Sequence, residues 1–167
     1  AMPNFWLGLV FVLIFAVNNP WLPASGYVRL SEDPYQWARH LLLPALTLGT
    51  AAAAEITRQL RGSLSDVLAH DYVRTAEAKG MRRWVVVGKH AAKNASIPVV
   101  TVLGLQFSLL LGGTVAVERV FGIPGLGTEI VNSVLGRDLP MIQGIVFFTT
   151  LAVVVINLVV DITYGFL

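Results

Sequence analysis

Residues 141–160 read MIQGIVFFTTLAVVVINLVV and include no Asp, Glu, Lys or Arg. A helix rises about 1.5 Å per residue, so a stretch of this length covers the hydrocarbon core of a bilayer, which is roughly 30 Å thick. Backbone polar groups find no water at that depth, and a helix satisfies them internally. The stretch therefore predicts a transmembrane helix.

The composition of the whole chain agrees with a membrane location. Of its 167 residues, 55% are hydrophobic and 13% are charged, and the mean hydropathy is +0.69. A soluble domain rarely has such values. The net charge of +2 is too small for a nucleic-acid surface. The chain contains no cysteine, which excludes disulfides, thiolate metal sites and cysteine nucleophiles.

Three more stretches approach the length of a membrane span, and they cover residues 4–17, 41–57 and 97–117. We predict an all-α membrane protein, a polytopic helical bundle with about four spans that form one transmembrane domain over 1–167. The first stretch is short, and a cleaved signal peptide is the alternative for it, although no Lys or Arg precedes it. Because the chain opens with Ala rather than Met, we expect a fragment.

Basic residues are concentrated between the second and third predicted spans. Short cytoplasmic loops are enriched in Lys and Arg, so we expect 58–93 to be cytoplasmic and the loops 18–40 and 118–140 to lie outside. Both ends of the chain are then cytoplasmic. Eight of the twelve basic residues lie in the middle loop: Arg58, Arg61, Arg74, Lys79, Arg82, Arg83, Lys89 and Lys93.

Small residues recur at every fourth position in two of the predicted spans. Such stripes permit close helix packing in lipid, where the hydrophobic effect does not drive helices together. Pro44 and Pro98 are interpreted as first-turn residues of their helices, where a missing N–H is tolerated. The predicted packing positions are Ala45, Gly49, Ala53, Gly104, Ser108 and Gly112.

The cytoplasmic loop has an internal pattern that its charge alone does not explain. An approximate capping box at Ser63 predicts a helix start, and Gly80 predicts a sharp helix end. A second short amphipathic helix is expected after that turn, with Trp84, Val87 and Ala91 on one face. A helix lying on anionic lipid is the alternative. The small residues that follow Arg74 favour docking in a protein groove instead.

At this loop the sequence resembles a known family. The stretch YVRTAEAKG at 72–80, followed by HAAKN at 90–94 and IPVV at 97–100, is similar to the coupling-loop signature of the membrane permease subunits of ABC importers. The resemblance is to the dipeptide, oligopeptide and nickel branch of those importers.

The resemblance extends over essentially the whole chain. The stretches WLPASG at 21–26, ERVFGIPGLG at 118–127 and RDLP at 137–140 resemble the outer loops and the start of the last helix in that branch. The general importer signature has Glu at the position of Arg74, so its carboxylate is absent here. Full-length members have further helices upstream, which agrees with the expectation of a fragment.

The resemblance implies that 72–80 forms a coupling helix that docks in a cleft on a cytoplasmic ATPase. The implied partners are a second homologous permease subunit, two ATPase subunits and an extracytoplasmic substrate-binding protein, in a bacterial or archaeal plasma membrane. ATP and Mg²⁺ belong to the ATPase subunits in this scheme, with no cofactor in this chain. The implied coupling residues are Arg74, Thr75, Ala76, Glu77, Ala78, Lys79 and Gly80.

The outer segment 118–127 is rich in Gly and apolar residues, and we do not expect it to continue a helix. Our hypothesis is an extracytoplasmic gate or a contact for the binding protein, and a simple connecting turn is the alternative. The residues assigned to this role are Glu118, Arg119, Phe121, Pro124, Gly125 and Leu126.

The predicted function is therefore that of a transport subunit for di- or oligopeptides, with no catalytic, cofactor-binding or metal-binding residues of its own. A permease of the same branch for nickel or another small solute is the alternative. An ion-coupled carrier would need paired carboxylates or broken helices near the bilayer midplane. An intramembrane enzyme would need a base beside Ser108, the only serine well inside a predicted span. His40, His70 and His90 are too far apart in sequence to indicate a metal cluster.

Overall fold

A computed structural model of the chain describes residues 3–165, apart from the side chains of Glu77, Lys89 and His90. Within that range the fold is all α, with eight α-helices and no β-strand. Two of the helices continue into π-helical turns. The helices and π-helical turns are, in chain order, α1 (Asn4–Val12), a π-helical turn (Leu13–Asn18), α2 (Pro34–Leu68), α3 (Asp71–Ala78), α4 (Arg83–Val85), a second π-helical turn (Val86–Ala91), α5 (Ala92–Gly113), α6 (Val115–Phe121), α7 (Leu126–Leu135) and α8 (Leu139–Tyr164).

Three helices of the described chain are long and apolar enough to cross a membrane, and they cover Pro34–Leu68, Ala92–Gly112 and Leu139–Tyr164. The N-terminal apolar helix Asn4–Asn18 is shorter than a span requires. By length and composition, the described residues thus contain three candidate spans and one shorter apolar helix.

Helix α2 extends beyond its apolar stretch in both directions. Pro44 lies inside it, and Pro98 lies inside α5, so the interpretation of these prolines as first-turn residues is wrong. Ser63 also lies inside α2, where its hydroxyl accepts a hydrogen bond from Gln59 over 3.3 Å, so the predicted helix start at Ser63 is wrong. Arg58, Gln59 and Arg61 have good helix propensity and continue α2 beyond its apolar stretch, so apolar length alone does not mark the end of this helix.

The chain divides into two compact units, Ala1–Ala52 with Leu109–Ala152, and Ala53–Ser108 with Val153–Leu167. In the first unit, Phe121 on α6 is 1% exposed and packs with Leu43 and Val117. A Cβ at Gly8 on α1 would lie 3.2 Å from the Phe121 ring, so the missing side chain lets α1 approach α6 closely.

The second unit contains a small apolar cluster around α3. Val73 and Ala76 on α3 pack with Val86, and all three side chains are buried. Leu68 and Met81 cover this cluster from the two ends of α3. In the same unit, α5 and α8 are in contact, as described below.

Candidate functional site

The residues that resemble a coupling loop form a bent segment over 71–91, which we call the elbow. Its first part is α3, which ends where Gly80 adopts a φ of +77°. The amide of Met81 donates to the carbonyl of Ala76 over 3.3 Å, the long backbone bond that closes a Schellman cap. The Met81 side chain packs on the buried cluster. The glycine therefore turns the chain so that the next segment folds back onto α3.

The predicted coupling residues divide into buried and exposed positions. Ala76 is 9% exposed and belongs to the apolar cluster, so it holds the elbow together from within. Thr75 bonds its hydroxyl to the carbonyl of Asp71 over 2.9 Å and stays exposed. The side chain of Glu77 lies outside the described residues. The surface that a partner can reach includes Arg74, Thr75, Ala78, Lys79 and Gly80.

The second part of the elbow differs from the amphipathic helix that the sequence predicts. Only α4 is α-helical before the chain enters the π-helical turn Val86–Ala91. Trp84 is 71% exposed, whereas Val86 and Ala91 are fully buried. The prediction that Trp84 and Ala91 share a face is wrong, because the wider π-helical turn changes the direction of the side chains that precede it.

The outer segment also contains more helix than the sequence predicts. Helix α6 includes Glu118 and ends at Phe121, so only 122–125 is non-helical before α7 begins. Gly122 at φ +63° ends α6, and the amide of Ile123 donates to the carbonyl of Glu118 over 2.9 Å. The cap is the same as the one at Gly80. The carbonyl of Phe121 then accepts a bond of 2.8 Å from the amide of Gly26 in the loop that precedes α2.

Glu118 is a buried carboxylate that accepts three hydrogen bonds. The hydroxyl of Thr114 donates to Oε1 over 2.7 Å, the amide of Gly127 donates to Oε1 over 3.2 Å, and the amide of Thr128 donates to Oε2 over 2.6 Å. Both amides belong to the first turn of α7. Glu118 therefore caps α7 from α6 and places a negative charge at its N-terminus, where the helix dipole favours one.

The charge state of Glu118 follows from the same contacts. The residue lies outside the three candidate spans. Burial raises the pKa of Glu118, but the hydrogen bonds from Thr114, Thr128 and Gly127 lower it by more, so the pKa lies below its ordinary value of 4.5. The carboxylate is therefore ionised at neutral pH.

Two glycines of the outer segment are explained by close approaches. A Cβ at Gly125 would overlap the carboxylate of Glu118, and a Cβ at Gly127 would lie 2.7 Å from Cγ2 of Val115. These positions leave no room for a side chain. The Gly-rich sequence here thus serves the packing of α6 against α7.

The residues predicted for a gate or a binding-protein contact are also divided between interior and surface. Glu118 and Phe121 are buried and make the internal contacts described above. Arg119 and Pro124 are exposed, and Leu126 is 38% exposed. A concave surface of about 470 Å³ lies beside them, lined by Pro124, Gly125, Leu126, Thr128, Glu129 and Asn132. Sequence reasoning missed Thr114 and Thr128.

Between described residues, the predicted packing stripes make a close approach at Gly104. A Cβ at Gly104 would lie 2.8 Å from Cγ2 of Val160, so α8 approaches α5 at a distance that favours glycine. The hydroxyl of Thr101 lies 2.6 Å from that of Tyr164, one turn away. Ser108 donates to the carbonyl of Gly104 over 3.0 Å. The other stripe positions are exposed in the described chain, and their packing against a partner helix stays a prediction: Ala45, Gly49, Ala53 and Gly112.

Comparisons with known proteins all indicate one family. A family model described as the binding-protein-dependent transport system inner membrane component matches residues 1–167. A peptide transport system permease protein of Brucella abortus is 42% identical over 164 residues, which cover 98% of this chain and 52% of that protein. The glutathione transport system permease protein GsiC of Escherichia coli is 48% identical over 165 residues, which cover 99% of this chain and 51% of that protein.

The chain spans about half the length of these curated relatives. The family match covers the region of the elbow and the outer segment alike. With its apolar helices and its match over the full sequence, the chain belongs to the family of inner membrane components of binding-protein-dependent transport systems.

Proposed function

We propose that this chain acts in the transmembrane subunit of an ATP-driven ABC importer for di- or oligopeptides. Its family membership supports a transport role, and the two relatives described above are permeases of peptide and glutathione transport systems. Those names favour a peptide over nickel as the cargo. The activity is that of a complete permease paired with a second homologous subunit, each forming half of the pathway.

The exposed side of α3 supports the proposal that this chain couples to an ATPase. Thr75 and Ala78 are small and exposed, while Val73 and Ala76 fix the opposite side of the same helix in an apolar cluster. A short helix that is rigidly held and presents small side chains suits close docking in a protein groove. Arg74 and Lys79 would supply charged contacts at the edge of that groove.

The proposed mechanism assigns ATP chemistry to the partner chains. Two cytoplasmic ATPase subunits bind ATP and Mg²⁺, and their closure moves the elbow, which moves the helices that enter and leave it. The basic segment 58–93 faces the cytoplasm in this scheme, and both ends of the chain lie on the same side. The outer loops 18–40 and 118–140 then face an extracytoplasmic substrate-binding protein.

A matched pair of substitutions tests the docking surface. Ala78→Arg places a long side chain on the exposed face of α3, and Ala69→Arg places the same side chain at an exposed position just before α3. Both variants are expressed in the complete permease together with its partner subunits. Co-purification of the ATPase subunits and uptake of a labelled dipeptide into cells are then measured.

We expect Ala78→Arg to reduce ATPase co-purification and dipeptide uptake about tenfold or more. Blocking the centre of an interface costs on the order of 2 kcal/mol of binding free energy. Ala69→Arg should leave both within about twofold of the unsubstituted protein. Equal ATPase binding and uptake by the two variants would contradict the docking surface. An unsubstituted complex that binds no ATPase would contradict the proposed function itself.

A further inference from the structure

A hydrogen bond joins the elbow directly to the start of α5. Nδ2 of Asn94 donates to the hydroxyl of Tyr72 over 3.0 Å, across 22 positions of sequence. Tyr72 lies in the first turn of α3 and Asn94 in the first turn of α5. Of the side-chain hydrogen bonds between described residues, this one connects α3 with α5.

The tyrosine is also connected to the end of α2. Its ring lies against the ring of His70, with 5.8 Å between the two centroids. Nδ1 of His70 in turn lies 2.9 Å from the carbonyl oxygen of Asp66, in the last turn of α2. The three side chains of His70, Tyr72 and Asn94 therefore form a continuous bridge from α2 through α3 to α5.

This bridge is separate from the contacts that fold the elbow. Val73 and Ala76 pack into the apolar cluster, whereas Tyr72 is 41% exposed and Asn94 is exposed. A hydrogen bond between exposed groups contributes little to folding, since water replaces either partner readily. Loss of the Tyr72 hydroxyl should therefore leave the elbow folded on its cluster.

The bond attaches to α5 at a point where the helix itself is weakened. Pro98 has no N–H, so the carbonyl of Asn94 has no partner four residues later in the helix. The first turn of α5 is held to the remainder by fewer backbone bonds than an ordinary turn. Tyr72 fastens this first turn to α3 instead.

We infer that Tyr72 is a positioning residue that makes the first turn of α5 move with the coupling helix. This inference rests on the proposed function, in which an ATPase displaces α3. With the bond in place, displacement of α3 pulls Asn94 and the start of α5 with it. Without the bond, α3 moves on its ATPase while α5 follows it incompletely.

The test measures how much peptide is transported for each ATP hydrolysed. The complete importer, with both permeases, both ATPases and its binding protein, is reconstituted in liposomes and supplied with a labelled dipeptide. The variants are Tyr72→Phe, Asn94→Leu, the double variant, and Asn94→Asp, whose carboxylate can accept a bond from the tyrosine hydroxyl. Tyr35→Phe, at an exposed tyrosine on α2, is the matched control.

For Tyr72→Phe and for Asn94→Leu we expect transport per ATP to fall about twofold, because water competes for an exposed hydrogen bond and its net contribution is small. ATPase co-purification and thermal stability should not change. The double variant should be no worse than either single variant, because both remove the same bond. Asn94→Asp and Tyr35→Phe should keep transport per ATP near the original value.

Unchanged transport per ATP in Tyr72→Phe would overturn the inference while leaving the proposed function intact. Additive losses in the double variant would also overturn it, since the two residues would then act independently. If the unsubstituted importer moved no dipeptide or hydrolysed no ATP, the proposed function would fail instead, and the two failures are thereby distinguished.

Discussion

The carboxylate of Glu118 lies 2.6 Å from the backbone nitrogen of Thr128, so one helix supplies the N-terminal cap of the next. Gly125, the residue at the capping position of α7, has no side chain that could do this. The arrangement fixes the angle between α6 and α7 through a single buried charge. Several substitutions can test this role of Glu118.

Removal of the carboxylate should destabilise the protein. For Glu118→Ala we expect the free energy of unfolding to fall by about 2 kcal/mol, because three donors lose a charged acceptor in a buried site. Glu129→Ala is the control, since Glu129 also lies in the first turn of α7 but is exposed. For Glu129→Ala the free energy of unfolding should fall by less than about 1 kcal/mol. Thermal unfolding in detergent measures both, and equal effects would contradict the capping role.

The stability contributed by Glu118 should depend on pH in acid. Its pKa is lowered from 4.5 in the folded protein, so its contribution is complete above the unfolded pKa and is lost as the pH falls through the folded pKa. Below pH 4.5 the melting temperature of the unsubstituted protein should fall more steeply than that of Glu118→Gln. Parallel melting curves for the two proteins throughout the acid range would show that Glu118 does not titrate as described.

A methyl group at Gly125 should disturb the same contact. We expect Gly125→Ala to cost about 1–3 kcal/mol, because the new Cβ overlaps the Glu118 carboxylate. The control is Gly144→Ala on α8, where nothing lies within 4 Å of a new Cβ and helix propensity improves by about 1 kcal/mol. Opposite shifts in melting temperature are the expected result. A stable Gly125→Ala variant would mean that the carboxylate moves aside freely.

The approach of α5 to α8 can be tested by compensation. Gly104→Ala should destabilise the protein by about 1–2 kcal/mol, because its Cβ would meet Cγ2 of Val160 at 2.8 Å. Val160→Ala removes that methyl group, so the double variant should recover most of the loss. The melting temperatures of the three variants give the interaction energy between positions 104 and 160. Simple addition of the two single effects would contradict direct contact between these residues.

Gly80→Val should impair transport without preventing membrane insertion. The residue has a φ of +77°, where a β-branched side chain is strained by about 1–2 kcal/mol, and the turn onto the cluster would be distorted. Gly62→Ala, inside α2 with open space around it, is the control. Peptide uptake by cells and the amount of protein in the membrane are compared. Full uptake by Gly80→Val would show that coupling does not depend on the turn at Gly80.

Substitution of Ala76 by Asp gives a less specific result than substitution of Ala78. Ala76 is buried, so Ala76→Asp would place a charge among Val73, Val86 and Met81 and disrupt the elbow itself. Ala76 and Ala78 are the same residue type, so residue size alone does not distinguish the inward position from the outward one. Val86, Leu68 and Met81 together cover the side of α3 that carries Ala76.

The long apolar stretches were sufficient to predict an all-α membrane fold, because bilayer thickness sets a simple length requirement. The C-terminal end of α2 was not predictable in the same way, since the helix continues through Gly62, Ser63 and Asp66, whose helix propensity is low, to Leu68. The capping role of Glu118 was missed for a different reason. Two of its partners are backbone amides nine and ten positions away, and residue types do not report where an amide points.

The π-helical turn Val86–Ala91 has a consequence for how such a chain can change over time. A turn of this kind corresponds to one residue inserted into an α-helix, and each residue of an α-helix accounts for about 100° of rotation. Deleting Gly88 would convert this turn into a regular α-helical one and leave the faces on either side of it aligned as they are, because the wide turn absorbs the extra residue locally. The direction of the proposed docking face relative to α5 is thus tolerant of the loss of one residue at this joint.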